Sequence, residues 1–114
     1  MLAKQYRLRR ARDIARAKRG RILKNADFGL RVSPTSARLP AASAHSRATV
    51  VVAKSVAKRA VDRNRIKRQV RALLAQPLQR LQPARDLVLT VKAPALGKSY
   101  TALGRALTAL LRQL

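Results

Sequence analysis

Residues 54–71 have the sequence KSVAKRAVDRNRIKRQVR, in which eight of the eighteen residues are Lys or Arg and only Asp62 opposes them. Such a density of cations needs a polyanion as its partner. The central run RNRIKR, residues 63–68, is followed by apolar residues at helical spacing. This pattern indicates a folded basic element rather than a disordered tail.

The basic stretch predicts one amphipathic helix. At about 100° per residue, three further apolar residues fall on the face of Ile66. These are Val70, Leu73 and Leu74. The opposite face carries Asn64, Lys67, Arg68 and Arg71. One side of the helix is therefore expected to pack on a core while the other offers cations, and Pro77 is expected to end the helix.

The flanking sequence predicts short elements around this helix. A helix is expected to end in Lys18-Arg19 before Gly20, and a last, Leu-striped helix is expected to begin after Ser99 as its N-cap. The predicted strands cover residues 21–24, 28–32, 47–53 and 87–91, and residues 33–46 are predicted as a loop. The strand at 47–53 is too continuously apolar for a surface edge. Asp62 is expected to cap or flank the basic helix, and Asp86 to precede the last strand.

The order of elements predicts a single α/β or α+β domain over residues 1–114, with a small sheet covered by helices. On general grounds the strand–basic helix–strand unit is expected to be a right-handed crossover. The apolar fraction of 47% excludes a disordered basic tail, and the net charge of +23 favours a nucleic acid as partner. The chain has no Cys and no apolar run long enough to span a membrane, and both features agree with a cytosolic protein.

The sequence offers little for protein catalysis. His45 is the only His, and it lies in the predicted loop without a partner for nucleophilic chemistry. The four Asp residues are isolated in sequence and predict no metal site. No Gly-rich phosphate loop is present, so we expect no small-molecule cofactor. Phe28 either stacks on a nucleotide or belongs to the core.

Several motifs resemble the protein subunit of bacterial ribonuclease P. They are Ala53-Lys54, Ala60, the run Arg63-Asn64-Arg65-Ile66-Lys67-Arg68, and Arg71. The likeness is specific around residues 59–71 and more diffuse over the rest of the chain. The resemblance implies a four-stranded sandwich with three helices and a left-handed crossover around the basic helix, against the general expectation.

The same resemblance implies the function. A protein of this family is a cytoplasmic bacterial subunit that binds the catalytic RNA of ribonuclease P and the 5′ leader of precursor tRNA, and the holoenzyme removes that leader. The RNA is expected to supply the catalytic site and to hold most of the Mg²⁺, so no residue of this chain is expected to be catalytic.

The resemblance also implies two sets of RNA-contacting residues. The catalytic RNA is expected to contact Lys54, Lys58, Arg59, Arg63, Asn64, Arg65, Lys67, Arg68 and Arg71. Asn64 either bonds RNA or bonds backbone and fixes the crossover. The leader is expected to contact Ile14, Lys18, Phe28 and Arg31. The places where the family often has aromatic residues hold Ile14, Ala17 or Lys18, and Arg31, so the charge of Lys18 and Arg31 is expected to replace stacking there.

The sequence alone leaves rival functions open. A structural ribosomal protein bound to rRNA fits the charge, the length and the lack of Cys equally well, and the ordered basic motif is what favours ribonuclease P. An autonomous nuclease is disfavoured by the lack of His and carboxylate clusters, and a DNA-binding protein by the lack of helix-turn-helix spacing.

Overall fold

A computed structural model describes residues 4–34, 45–81 and 84–114 of the chain. The helices within these ranges are α1 (Ala11–Lys18), α2 (Ala60–Arg80) and α3 (Tyr100–Leu111). The strands are β1 (Arg21–Lys24), β2 (Phe28–Pro34), β3 (Arg47–Val51) and β4 (Arg85–Val91). Single 3₁₀ turns cover Lys4–Tyr6 and Ala93–Ala95. No helix in these ranges is long and apolar enough to cross a membrane.

The four strands form one mixed sheet in the order β1-β2-β4-β3. β2 pairs antiparallel with both β1 and β4, while β3 pairs parallel with β4. Because α2 lies between β3 and β4 in the chain, these parallel neighbours are joined by a helical crossover. This architecture confirms the predicted α+β fold with a four-stranded sheet and three helices. The left hand of the crossover stays a prediction.

The two faces of the sheet pack on different helices. On one face, alternate residues of the strands meet α2 and α3 in the main core, which includes Phe28, Leu30, Val50, Leu87 and Leu89. On the other face, α1 packs on β2 and β4 through a smaller cluster of Leu8, Ala17 and Val88. The side chains of each strand enter the two cores alternately, because successive side chains point to opposite faces of the sheet.

The position of β3 corrects the sequence-based prediction. β3 lies at an edge of the sheet, although its Val-rich sequence indicated an internal strand. The edge is partly covered by the N-terminal segment, since the backbone N–H of Leu8 donates to the carbonyl of Ala48 at 2.8 Å. A covered edge accepts an apolar strand because fewer of its backbone groups are open to pairing.

The second correction concerns the end of α2. Pro77 lies inside the helix, which continues to Arg80. A proline costs a helix one hydrogen bond and crowds the preceding turn. Leu78 is fully buried in the main core directly after Pro77, so its packing holds the last turn in place. The sequence signal was correct about the local cost, but the tertiary contact outweighs it.

The predicted ends of the other helices are confirmed. α1 ends at Lys18 with Arg19 and Gly20 after it, and a Cβ at Gly20 would lie 1.9 Å from the carbonyl oxygen of Val32. Only glycine lets the chain pass β2 this closely. Ser99 caps α3, where its Oγ accepts from the N–H of Ala102 at 3.1 Å.

The predicted loop at 33–46 is only partly described. Ser33 and Pro34 extend β2, whereas residues 35–44, with Pro40, lie outside the described residues, as does Pro83. Ser46 is fully buried, donates from Oγ to the carbonyl of Leu81 at 3.2 Å and accepts from the N–H of Arg85 at 3.0 Å. It therefore joins the start of β3 to both ends of the α2–β4 connection.

Candidate nucleic-acid interface

The outer face of α2 and the loop before it form the candidate interface. Burial of Ile66, Val70 and Leu74 against the sheet fixes the rotation of the helix, and Leu73 lies partly buried beside them. This confirms the predicted packing face. The exposed residues of the predicted set are Lys54, Lys58, Arg59, Asn64, Arg65 and Arg68, and the half-buried ones are Arg63, Lys67 and Arg71. We call these nine residues the basic surface.

Asp62 is the one acid in the sequence segment that carries the basic surface. None of the ion pairs in the described ranges involves a cation of this surface. Like charges at neighbouring helical positions destabilise a free helix. A solvated face would usually intersperse both signs, so the uncompensated charge favours binding of a polyanion.

Arg63 differs from its neighbours in the basic surface. Its Nη1 donates to the carbonyls of Ala57 and Lys58, both at 2.8 Å. These bonds fix the loop that carries Lys58 and Arg59 against the first turns of α2. Arg63 was predicted as a phosphate contact, but the structure shows that its guanidinium also has a structural role, which the sequence did not reveal.

The alternative role of Asn64 is not seen. In the part of the chain that the structure describes, no hydrogen bond joins the Asn64 side chain to the backbone of the crossover. The side chain is exposed on the same side as Arg65 and Arg68. It is therefore available to an RNA group.

A second surface lies on the opposite side of the sheet, where α1 leaves part of the strands uncovered. Arg31 of β2 pairs with Ile22 of β1, and Thr90 of β4 pairs with Val51 of β3. These exposed residues are therefore neighbours across the sheet. Ile22 is 58% exposed and Val51 is 38% exposed. We call this the open sheet face, and it consists of Ile22, Lys24, Arg31, Val51 and Thr90.

The predicted leader-contacting residues fall differently around the open sheet face. Arg31 lies on it, and its Nη1 donates to the backbone carbonyl of Lys18 at 2.6 Å, so the guanidinium reaches the last residue of α1. The Lys18 side chain is exposed at that end of the helix. Ile14 lies at the side, half-buried against the smaller cluster. Phe28 is fully buried in the main core, so its ring offers no face to a base and we drop it from the set.

A buried ion-pair network positions α1 beside the open sheet face. Asp86 lies inside β4 and its side chain is fully buried, so it does not merely precede the strand as predicted. Its Oδ2 accepts from Arg16 at 2.8 Å and from Arg47 at 2.9 Å, and Arg47 also lies 3.4 Å from Asp13. These residues were missed because the sequence shows each Asp as isolated.

The acidic residues do not fit a metal site on the protein. Asp13 and Asp86 face Arg guanidinium groups, and Asp27 accepts from Lys98 at 2.6 Å. Across the described ranges, no three His, Cys, Asp or Glu side chains come together as metal ligands. A Mg²⁺ ion needs oxygen ligands that are free to bind it. The carboxylates of Asp13, Asp27 and Asp86 are already used in ion pairs, and Asp62 is a single carboxylate with no second acidic ligand beside it in the described ranges.

Comparisons with known proteins agree with this arrangement. A family model described as Ribonuclease P matches residues 2–114. The chain is 37% identical over 111 residues to the ribonuclease P protein component of Cyanothece sp., covering 88% of this chain and 85% of that protein. It is 36% identical over 105 residues to the component from Pseudanabaena sp., covering 91% and 86%.

Solved structures show the same fold. The RNase P protein of Staphylococcus aureus has a TM-score of 0.80 at 24% identity, covering 95% of this chain and 94% of that chain. The RNase P protein of Thermotoga maritima has a TM-score of 0.78 at 23% identity, covering 95% and 96%. At this level of identity the likeness shows the fold alone.

Proposed function

The chain belongs to the ribonuclease P protein family, and from this premise we propose that its basic surface binds the catalytic RNA while its open sheet face binds the 5′ leader of precursor tRNA. RNA binding and tRNA processing, as the protein component of this endoribonuclease, are the function of the family. The family match decides against the alternative of a structural ribosomal protein.

The observation that carries the proposal is the uncompensated charge of the basic surface on a helix whose other side is locked into the core. Cations fixed in this way displace the counterions condensed on RNA, and their release drives binding. The fixed rotation of α2 points Arg65 and Arg68 outward together. The same RNA segment therefore contacts both without rearrangement of the protein.

The leader proposal rests on the chemistry of the open sheet face. Single-stranded RNA needs cations for its phosphates and apolar area for its bases. Lys24 and Arg31 supply the charge, while Ile22 and Val51 supply exposed aliphatic area. None of the five residues of this face is aromatic. The leader is therefore held by charge and aliphatic contact rather than by stacking.

The two surfaces lie on opposite sides of the sheet, so one domain bridges two RNA segments. Such a bridge places positive charge between two polyanions, which lowers the Mg²⁺ concentration needed for their association. We assign the chemical step and its Mg²⁺ to the catalytic RNA, because three of the four Asp carboxylates are engaged in ion pairs and no three acidic or His side chains come together as metal ligands in the described ranges. The setting is the bacterial cytoplasm.

The direct test is cleavage of a 5′-extended precursor tRNA by bacterial ribonuclease P RNA at low Mg²⁺, with and without the protein. We expect strong activation by the protein and no cleavage by the protein alone. A leader-free tRNA tests the second surface, because the protein is expected to favour precursor over mature tRNA. Absence of activation with a closely matched RNA would contradict the assignment. Cleavage by the protein alone would mean that the chemical step belongs to the protein and not to the catalytic RNA.

Single substitutions in the basic surface test the contact residues. Arg65→Ala and Arg68→Ala are each expected to lower affinity for ribonuclease P RNA about tenfold or more, because a hydrogen bond to a charged group contributes about 1.5–3 kcal/mol. Both side chains are exposed, so the free energy of unfolding should change by less than about 0.5 kcal/mol. Equilibrium RNA binding and urea unfolding measure the two quantities.

Arg80→Ala is the matched control for these variants. Arg80 is an exposed cation on the same helix, but it lies at the far end of α2 and outside the basic surface. Its removal is expected to leave the affinity nearly unchanged. Equal losses for Arg80→Ala and Arg65→Ala would mean that only total charge matters, and the assignment of the contacts to the basic surface would then be wrong.

A further inference from the structure

A cavity of about 320 Å³ opens beside the basic surface, between the start of α2 and the segment that leads into α3. Its apolar wall includes Val56, Ile66 and Leu96. Its polar side includes Asp62, Arg65 and Gln69. A site of this size, with apolar walls and a few polar groups, is suited to a small planar ring.

The charge of Asp62 is the unusual feature of this cavity. The other three Asp residues pair with Arg or Lys, whereas Asp62 has no ion pair or hydrogen bond from its side chain within the described ranges. Lys98 also lines the cavity, but its Nζ is bonded to Asp27 at 2.6 Å. Asp62 is thus half-buried, without an ion pair in the described ranges, and adjacent to the basic surface at Arg65.

A carboxylate in this place opposes phosphate binding, because both groups are negative. It favours a ligand that presents N–H donors instead. The simpler role of Asp62 is stabilisation of the first turn of α2 through the helix dipole, which contributes about 0.3–1 kcal/mol. That role needs neither a cavity nor apolar walls next to the carboxylate, and both are present.

We propose that this cavity binds one unstacked guanine of an RNA segment whose phosphates lie on the basic surface. Guanine alone presents two adjacent donors, N1–H and the N2 amino group, to the two oxygens of a carboxylate. Adenine, cytosine and uracil each place an acceptor next to their donor on that edge. Val56, Ile66 and Leu96 contact the ring, and Arg65 on the rim contacts the adjoining phosphate.

This inference rests on the proposed RNA binding by α2 and adds base recognition to it. In single-stranded RNA, sequence-specific recognition uses unstacked bases bound at their Watson–Crick edge. A good bidentate pair discriminates against the wrong base by about 1–3 kcal/mol. The basic surface thus supplies affinity, and Asp62 supplies selectivity at a single position of the RNA.

The test uses the full chain and labelled oligouridylates of about seven nucleotides, a length within the range of single-strand binding sites. The central nucleotide is guanosine, inosine, adenosine or uridine. Inosine keeps N1–H but lacks the N2 amino group, so it isolates the second hydrogen bond. Affinities are measured at one fixed salt concentration. We expect the guanosine probe to bind about tenfold more tightly than the inosine probe, which corresponds to about 1.4 kcal/mol.

Asp62→Asn is expected to change two readouts in opposite directions. Removal of the negative charge should tighten the binding of the adenosine and uridine probes, which place an acceptor against the carboxylate, while the preference for guanosine over inosine disappears. Arg80→Ala is the control, because it alters charge outside the cavity and should keep the preference. If Asp62 only stabilised the helix, its replacement would lower the melting temperature. The unsubstituted protein would then show no preference for guanosine over inosine.

The outcomes separate this inference from the proposed function. Equal affinity of the unsubstituted protein for all probes would overturn the guanine site and leave RNA binding by α2 intact. A preference that survives in Asp62→Asn would also overturn it, since the carboxylate would then not be the acceptor. Failure of every probe and of ribonuclease P RNA to bind at low salt would overturn the proposed function itself.

Discussion

Raising the monovalent salt concentration from about 50 to about 200 mM is expected to weaken binding of ribonuclease P RNA by about 10³- to 10⁵-fold. The reason is the number of cations that the basic surface offers. Its eight Lys and Arg residues lie within the range of about 6–10 phosphate contacts that produces a loss of this size. Equilibrium binding over a salt series, at constant Mg²⁺, measures the effect as a log–log slope.

The log–log slope of affinity against salt concentration also measures the number of phosphate contacts. Each lost phosphate contact is expected to reduce its magnitude by about 0.7 to 0.9, so a variant with both Arg65→Ala and Arg68→Ala should differ from the unsubstituted protein by twice that amount. Arg80→Ala should keep the original slope. A nearly flat dependence in the unsubstituted protein would contradict an electrostatic interface, whatever the affinity at low salt.

Asp86→Ala is expected to lower the free energy of unfolding by about 3–5 kcal/mol, because it leaves the partly buried guanidinium groups of Arg16 and Arg47 without their shared, fully buried acceptor. The Asp86 side chain is fully buried between Arg16 and Arg47. A small domain has only about 5–15 kcal/mol of stability in total. The variant is therefore expected to be largely unfolded at temperatures where the unsubstituted protein is folded.

Urea unfolding of the RNA-free protein measures this loss, since bound RNA would stabilise the folded state by mass action. Asp62→Asn serves as the control, because it also removes a carboxylate but breaks no ion pair in the described ranges. We expect it to change the free energy of unfolding by no more than about 1 kcal/mol. A loss below about 1 kcal/mol for Asp86→Ala would mean that the network does not anchor α1 to the sheet.

The sequence predicted the elements whose signals are local. The end of α1 before Gly20 and the start of α3 at Ser99 depend on backbone groups within one turn, so the residue types alone indicate them. The apolar face of α2 was predicted equally well from the sequence, because Ile66 and Val70 recur at the helical period. The same period predicted that the basic residues of α2 lie on the side of the helix away from Ile66.

The features that the sequence did not predict depend on distant contacts. Asp86 and Arg16 are separated by 70 positions, and no local pattern connects them. Pro77 stays inside α2 because Leu78 packs on a core built from other elements. β3 is rich in Val although it is an edge strand, because Val50 enters the core and Val51 lies on the open sheet face. A continuous apolar run does not distinguish this case from a strand buried on both faces.

The hydrogen bonds from Arg63 to the carbonyls of Ala57 and Lys58 have a kinetic consequence. They order the loop before any RNA arrives, so little conformational entropy remains to be lost at contact. An encounter between a preformed cationic surface and a polyanion needs no folding step, and electrostatic steering then brings association towards the diffusional limit. The protein is in this way suited to capture newly transcribed RNA as soon as the two molecules meet.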